Sequence, residues 1–226
     1  MREHALKVVI TSLIFTFIII LPVSSALSTD EQSASEKYGH QDVPTSQLNK
    51  EHDITLKIAA AAEELAQRLQ KGENVNRRRL VNMYDFFVNF VDACHHGKEE
   101  QYYFPIALIA EPRLKPIVTT LELHHTIGRA LLNGVERSLV LWESMPEIAH
   151  REAADNLRAY TAMLRRHTDL ESKFFMSQVE AALVPEQRHV IRSGFHYIEA
   201  EQLGEGFHEK YHKLAMNILN KGGSGE

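Results

Sequence analysis

The stretch Val91–Pro105, VDACHHGKEEQYYFP, sets two adjacent histidines and, four residues later, two adjacent glutamates into a segment otherwise patterned as amphipathic helix. Steps of three and four through it select Tyr84, Val88, Val91, His95, Glu99 and Tyr102. That stripe is apolar except at His95 and Glu99, so both project toward a core. The neighbouring stripe, Asp85, Asn89, Asp92, His96 and Glu100, is polar almost throughout. It assigns His96 and Glu100 to the wet face or to a shielding second layer.

The same device recurs further along. Tyr160, Leu164, His167, Glu171 and Phe174 share a stripe, again with a glutamate four residues after a histidine. Val118, Leu121, His125, Gly128, Leu132 and Val135 line up around His125, although His124 also has apolar neighbours in Ile117, Ile127 and Leu131. Leu48, His52, Leu56, Ala59 and Ala66 enclose His52. Four helical segments thus each offer an inward histidine, and two add a carboxylate one turn on.

Those segments organise most of the chain. The pattern predicts helices over 46–71 (Ser46 as N-cap, Gly72 as stop), 75–110 (with a break near Pro105), 116–142 and 147–183. A region from Pro185, interrupted at Gly204 and Gly206, ends in a short helix over 207–220, and no segment reads as a strand. The expected fold is all-α: an up-down-up-down four-helix bundle over 46–183 with an additional C-terminal helical segment over 184–220 and a tail over 221–226.

The first 26 residues are of another kind. Arg2 and Lys7 precede the uncharged apolar run Val8 to Leu21, and Ser24 and Ala26 are small residues suited to a cut after Ala26. That is the order of a secretory signal peptide, and the run is short of the ~20 residues a membrane-spanning helix needs. An uncleaved N-terminal anchor is the alternative, and the only membrane contact expected. Either way the body is expected to be exported, to the periplasm or the outer face of the cytoplasmic membrane. Residues 27–45 are polar, without periodicity, and read as a disordered linker.

Composition adds two constraints. A net charge of −5 gives no electrostatic footprint for nucleic acid, and Arg77–Arg79 reads as a solvated loop or helix start. The single cysteine, Cys94, rules out an intrachain disulfide and reads as a small buried apolar group. The 13 histidines are the excess that asks for an explanation.

Burying two ionised carboxylates without partners costs several kcal/mol each, so something cationic must face Glu99 and Glu171. Arg129, one turn from His125, could pair with one of them but not with both carboxylates and four imidazoles. Neutral imidazole with carboxylate suits divalent iron, manganese or zinc. Carboxylates on facing helices can bridge two ions. A lone histidine on an apolar stripe is more often a hydrogen-bonded core residue, but two His-x-x-x-Glu pairs with two further histidines favour a metal site.

These segments resemble the hemerythrin-like, HHE cation-binding family over about residues 48–183. The matching pieces are KEHDI around His52, CHHGKEEQYYFP with His95 and Glu99, LHHTIGRALL with His125, and LRRHTDLESKFF with His167 and Glu171. The resemblance of HTIGR to the family's H-x-x-G-R segment favours His125 over His124. It implies a non-haem di-iron centre, with other divalent metals possible, held by His52, His95, Glu99, His125, His167 and Glu171.

Two departures stand out. Oxygen-carrying members have a second histidine where this chain has Arg129, and an aspartate where it has Ser172, with Glu171 one residue earlier. The expectation is therefore a protein that binds or senses O2, NO or peroxide, with reversible oxygen carriage in doubt. A di-iron oxidase or peroxidase-like enzyme, with Tyr84, Tyr102 or Tyr160 as relays, is one alternative, and iron storage another. A sensor would need a separate protein to receive its signal, which the sequence does not identify. The segment GEGFHEKYHKL, with His208 and His212 on one face, resembles an extension of bacterial members and reads as packing or a cap.

Overall fold

Helix α1, Pro44–Gln70, opens earlier than the spacing predicts because Pro44 fits the first helical turn, where its fixed φ helps and its missing N–H costs nothing. Ser46 therefore lies inside the first turn, its N–H donating to the Val43 carbonyl at 2.8 Å, and is not the cap. Gly72, with φ +71°, ends the helix as expected. The computed structural model describes residues 43–221. The expected signal peptide, nearly all of the expected linker and most of the tail lie outside the described residues.

Helix α2, Arg77–Phe86, is capped by Asn76, whose side chain accepts from Arg78 N–H at 2.9 Å. It continues without interruption through two π-helical stretches, Phe87–His96 and Glu99–Tyr103, into α3, Phe104–Ala110. The break expected at Pro105 does not occur. The wide turn just before it gives the proline ring room that a regular α-turn would deny.

A short 3-10 turn, Pro112–Leu114, leads to α4, Lys115–Leu141, and then α5, Pro146–Leu170, begins on another first-turn proline. A third π-helical stretch, Glu171–Phe175, joins α5 to α6, Met176–Ala182. Helix α7, Pro185–Tyr197, runs into a fourth, Ile198–Gln202, and α8, Phe207–Lys221, follows Gly204 and Gly206, both at positive φ. The described residues form helices joined by turns and short irregular segments, with no strand among them, and none of these helices is long and apolar enough to cross a membrane.

Two apolar clusters hold these helices together. One gathers Ile58 and Leu65 of α1, Leu80 and Phe86 of α2, Val135 of α4 and Leu157 and Leu164 of α5. The other gathers Leu48 of α1, Tyr103 and Phe104, Val118 and Leu121 of α4, and Phe175 and Val179. In each helical rod the polar residues His52, His95–Glu99, His125 and His167–Glu171 fall between the members of the two clusters, so the polar layer has a dry layer on either side.

Helices α4 and α5 approach closely where glycine removes the side chain. A Cβ on Gly128 would lie 2.7 Å from Met163 Cε and 3.3 Å from the Tyr160 ring, and one on Gly134 would lie 2.3 Å from Asn156 Oδ1. The glycine of the HTIGR segment is thus a packing requirement, bringing His125 up against α5.

Candidate metal centre

The π-helical stretches decide which side chains reach the polar layer. A π-turn closes an i→i+5 bond and so holds one more residue than an α-turn, which shifts the inward stripe by a position. After Glu99 the buried ring is Tyr103 rather than the expected Tyr102, and after Glu171 it is Phe175, with Phe174 58% exposed. The same widening turns both histidines of Cys94–His95–His96 inward. His96 is 2% exposed, so its expected place on the wet face is corrected: it joins the inner layer. Glu100 is half-buried, in the shielding position.

All six expected site residues meet in the polar layer. With His96 they form two groups that share Glu99, each with ligand atoms within 4.8 Å of one another. One is His96, Glu99, His125 and His167; the other is His52, His95, Glu99 and Glu171. All seven residues are buried.

Glu99 faces both ways. Its Oε1 lies 3.0 Å from His95 Nε2 and 3.9 Å from His52 Nε2, while Oε2 lies 3.1 Å from His125 Nε2 and 3.8 Å from His167 Nε2. Glu171 Oε2 lies 3.1 Å from His52 Nε2 and 3.5 Å from His167 Nε2. None of these contacts is a hydrogen bond: those at 3.8 and 3.9 Å are too long, and the shorter ones lack the direction. The Nε2 atoms of His52, His95, His96, His125 and His167 and both oxygens of Glu99 and Glu171 have no hydrogen-bond partner. Buried polar atoms are normally paired, so an inner layer orphaned throughout is the pattern expected of ligands aimed at a cation.

The outer partners explain why the nitrogens face inward. Asp92 Oδ1 lies 3.2 Å from His96 Nδ1, Glu51 Oε2 2.8 Å from His95 Nδ1, and Glu100 Oε1 2.7 Å from His125 Nδ1. A carboxylate can only accept, so each of these rings carries its proton on Nδ1 and, when neutral, presents the Nε2 lone pair to the centre. Ser172 donates to Asn49 Oδ1 at 3.1 Å, leaving its oxygen to accept from His52 Nδ1 at 3.2 Å. Ser172, which stands in place of the oxygen carriers' aspartate, is therefore an orienting group.

Arg129 pairs with Asp92 at 2.8 Å and Glu100 at 2.9 Å, and so supports the outer shell without touching Glu99 or Glu171. His124, the alternative to His125, is only partly buried, whereas His125 is 0% exposed. Helical spacing had missed two further buried groups: Glu51, and Lys98, whose ammonium meets Glu51 Oε1 at 2.5 Å. Glu51 lies one residue before the His52 stripe, and Lys98 lies between two π-helical stretches, beyond a register shift that α-periodicity does not follow.

Electrostatics agree with this geometry. Burial alone would raise the Glu99 pKa, but His95 foremost, with His125 and His167, holds the carboxyl well below its usual range. Burial lowers the His95 and His125 rings, and carboxylates outweigh it in both: Glu99 and Glu51 for His95, Glu100 and Glu99 for His125. Burial keeps His96 and His167 low. His96 stacks on His125 with ring centres 3.8 Å apart and 16° between planes.

Comparison with known proteins gives the site its context. No solved structure matches the chain. It is 24% identical over 176 residues to the Uncharacterized protein Rv1995 of Mycobacterium tuberculosis (strain ATCC 25618 / H37Rv) and, at the same identity, to the Uncharacterized protein Mb2018 of Mycobacterium bovis. The match takes in 76% of this chain but only 64% of those relatives. The hemerythrin HHE cation-binding domain matches residues 43–178, a span that holds every member of both ligand groups. With that match and an inner layer of inward-facing imidazoles and carboxylates, the chain belongs to the hemerythrin HHE cation-binding domain family.

Proposed function

We propose that this chain is a non-haem di-iron protein whose centre binds or senses O2 or a related small molecule on the outer side of the cytoplasmic membrane. The observation that carries the reading is Glu99, with one oxygen turned to each group of histidines, as a carboxylate bridging two ions requires. His96, His125 and His167 would hold one ion, His52, His95 and Glu171 the other. Divalent iron would supply an open coordination position that accepts O2, NO or peroxide. The chain's own residues orient the imidazoles through Asp92, Glu100, Glu51 and Ser172, and the apolar layers on either side exclude water.

The alternation of the polar layer between the two apolar clusters supports an up-down-up-down order for the four main rods, with α7 and α8 as the additional segment. Export rests on the pattern of residues 1–26. Five imidazoles against two carboxylates make a ligand set suited to holding a small molecule more than to oxidising it.

The oxidoreductase reading has one observation in its favour: the hydroxyls of Tyr160 and Tyr103 are buried without hydrogen-bond partners. Tyr84 and Tyr102, by contrast, are only partly buried. The deciding experiment is metal content and an optical spectrum of protein purified without oxygen and then exposed to air. About two irons per chain, with new near-ultraviolet charge-transfer bands on exposure, is the expected result. Steady turnover of peroxide would move the assignment to the oxidoreductase. One zinc and no optical response would move it to metal storage.

A further inference from the structure

Residues beyond 178 lie outside the family match, yet they reach the centre. Lys98, 0% exposed, bridges Glu51 and Glu199 with its ammonium 2.5 Å from each, and lies over the Phe195 ring at 5.8 Å. His208 Nε2 lies 3.5 Å from Glu51 Oε1. Phe195 belongs to α7, Glu199 to the π-helical stretch after it and His208 to α8, so the C-terminal segment holds Lys98 and Glu51. Glu51 in turn fixes His95 through Nδ1.

Two independent features point the same way. Among the described residues the π-helical stretches carry His95 and His96, Glu99 and Glu100, Glu171, and Glu199: three bear ligands and the fourth bears the partner of Lys98. The segment is also seated without slack, since a Cβ on Gly194 would fall 2.2 Å from the Tyr102 ring. A pocket of about 450 Å³ lined by Gln47, Glu51, Phe90, Glu199 and His208 leaves Glu51 open space on that side, so its hydrogen-bond partners, more than packing, set its position. Glu51, Glu199 and His208 are close enough together to suggest a third cation site, but the Lys98 ammonium already supplies that charge.

We infer that the C-terminal helices are part of the metal centre: Glu199 and His208, acting through Lys98 and Glu51, hold the His95 ring in the orientation that retains a cation in the group with Glu171. The inference rests on the di-metal reading above. Glu199 and His208 are positioning residues: His208 is separated from the ion by Glu51 and His95, and Glu199 by Lys98 as well. An outer partner bonded directly to a ligand, as Glu51 is to His95, typically alters metal affinity about 10–100-fold, which bounds what the extension can do through it.

The test is release of cobalt(II) from the loaded full-length protein to a chelator, followed by its visible spectrum. Two release phases are expected, one of them absent in Glu171→Gln. Glu199→Gln and His208→Leu should speed that same phase, by no more than the roughly 10–100-fold expected for losing Glu51 itself, and leave the other alone. His208→Gln, which keeps a donor, should recover most of the wild-type rate. Tyr211→Phe removes the α8 hydrogen bond to Asp85 at 3.1 Å without touching the network, and should change neither phase. Wild-type release in both extension variants, or equal acceleration in Tyr211→Phe, overturns the inference. In metal-free protein, the His95 Nδ1 proton should be protected from exchange and lose that protection in Glu199→Gln. If wild-type protein takes up no cobalt, the di-metal reading falls, and the His95 proton alone decides whether the extension orients the ring.

Discussion

The two ligand groups that meet at Glu99 differ in charge and in what stands behind them. The group of His96, His125 and His167 has only the shared carboxylate, and its outer partners are half-wet: the side chains of Asp92, Glu100 and Arg129 are 23%, 32% and 41% exposed. The group of His52, His95 and Glu171 has two carboxylates, and behind it stand Glu51 and a Lys98 hidden from solvent. Behind the group with the larger inner charge, the cation that pairs the outer carboxylates is buried, and behind the other it is a partly solvated arginine. A Coulomb interaction is screened far less at a buried site than at a wet one. The carboxylate-rich half should therefore hold its ion firmly, and the histidine-rich half should exchange first.

The most severe way to break this comparison is Glu99→Gln, which removes charge from both halves at once. Binding of both ions should be lost, as read by metal content after desalting. Retention of one ion would mean that Glu99 does not bridge.

Next come the substitutions that should separate the halves. His96→Ala should remove one ion and leave the other, and Glu171→Gln should do the same on the opposite side, with a different residual spectrum. If His96→Ala keeps full stoichiometry, the inward turn of the first π-helical stretch has no bearing on binding.

A smaller effect is expected from Glu100→Gln. It weakens the hold on His125 Nδ1 and one contact of Arg129, and should lower affinity in the histidine-rich half about 10–100-fold without altering the slower-releasing ion. Equal weakening of both would erase the distinction between the two outer shells.

The smallest test concerns Cys94, which lies in the electrostatic neighbourhood of Lys98, Glu51 and Glu199. Burial first of all, against the opposing pull of Lys98, pushes its thiol up to about 12. An unfolded thiol ionises near ~8.5, so the unfolded chain gives up its proton first. Stability from this group is thus fully present below that value and declines as pH rises from about 8.5 toward 12. Denaturation midpoints of wild type and Cys94→Ala across this range should converge as the pH rises, and the native thiol should resist alkylation at pH 8.

Much of this arrangement was legible in the sequence because α-helical periodicity holds where the backbone is α-helical. Along α1 and α4 the stripes through His52 and His125 point as expected. Along the rods that contain π-helical stretches the same rule misplaces Tyr102, Phe174 and, with more consequence, His96. No residue in CHHGKEE announces an i→i+5 bond, so the error could not be seen from spacing alone. Pro105 was the nearest signal, and it reads as a break unless the turn before it is known to be wide. Glu51 and Glu199 were missed for a different reason: a charged side chain one step off an apolar stripe normally belongs to solvent, and only tertiary packing brings these two against the buried Lys98.

Because a π-turn differs from an α-turn by a single residue, the fold and the site of this protein answer differently to small changes in chain length. Losing one residue as a turn within 87–96 closes to ordinary α-helix would leave the register beyond it intact, whereas a residue lost or gained without that change of turn would rotate everything beyond it by about 100°. The apolar clusters could repack around such a rod, but Glu99 would leave the centre. In an evolutionary lineage, one codon lost or gained without that change of turn is thus enough to separate a cation-binding bundle from a merely structural one.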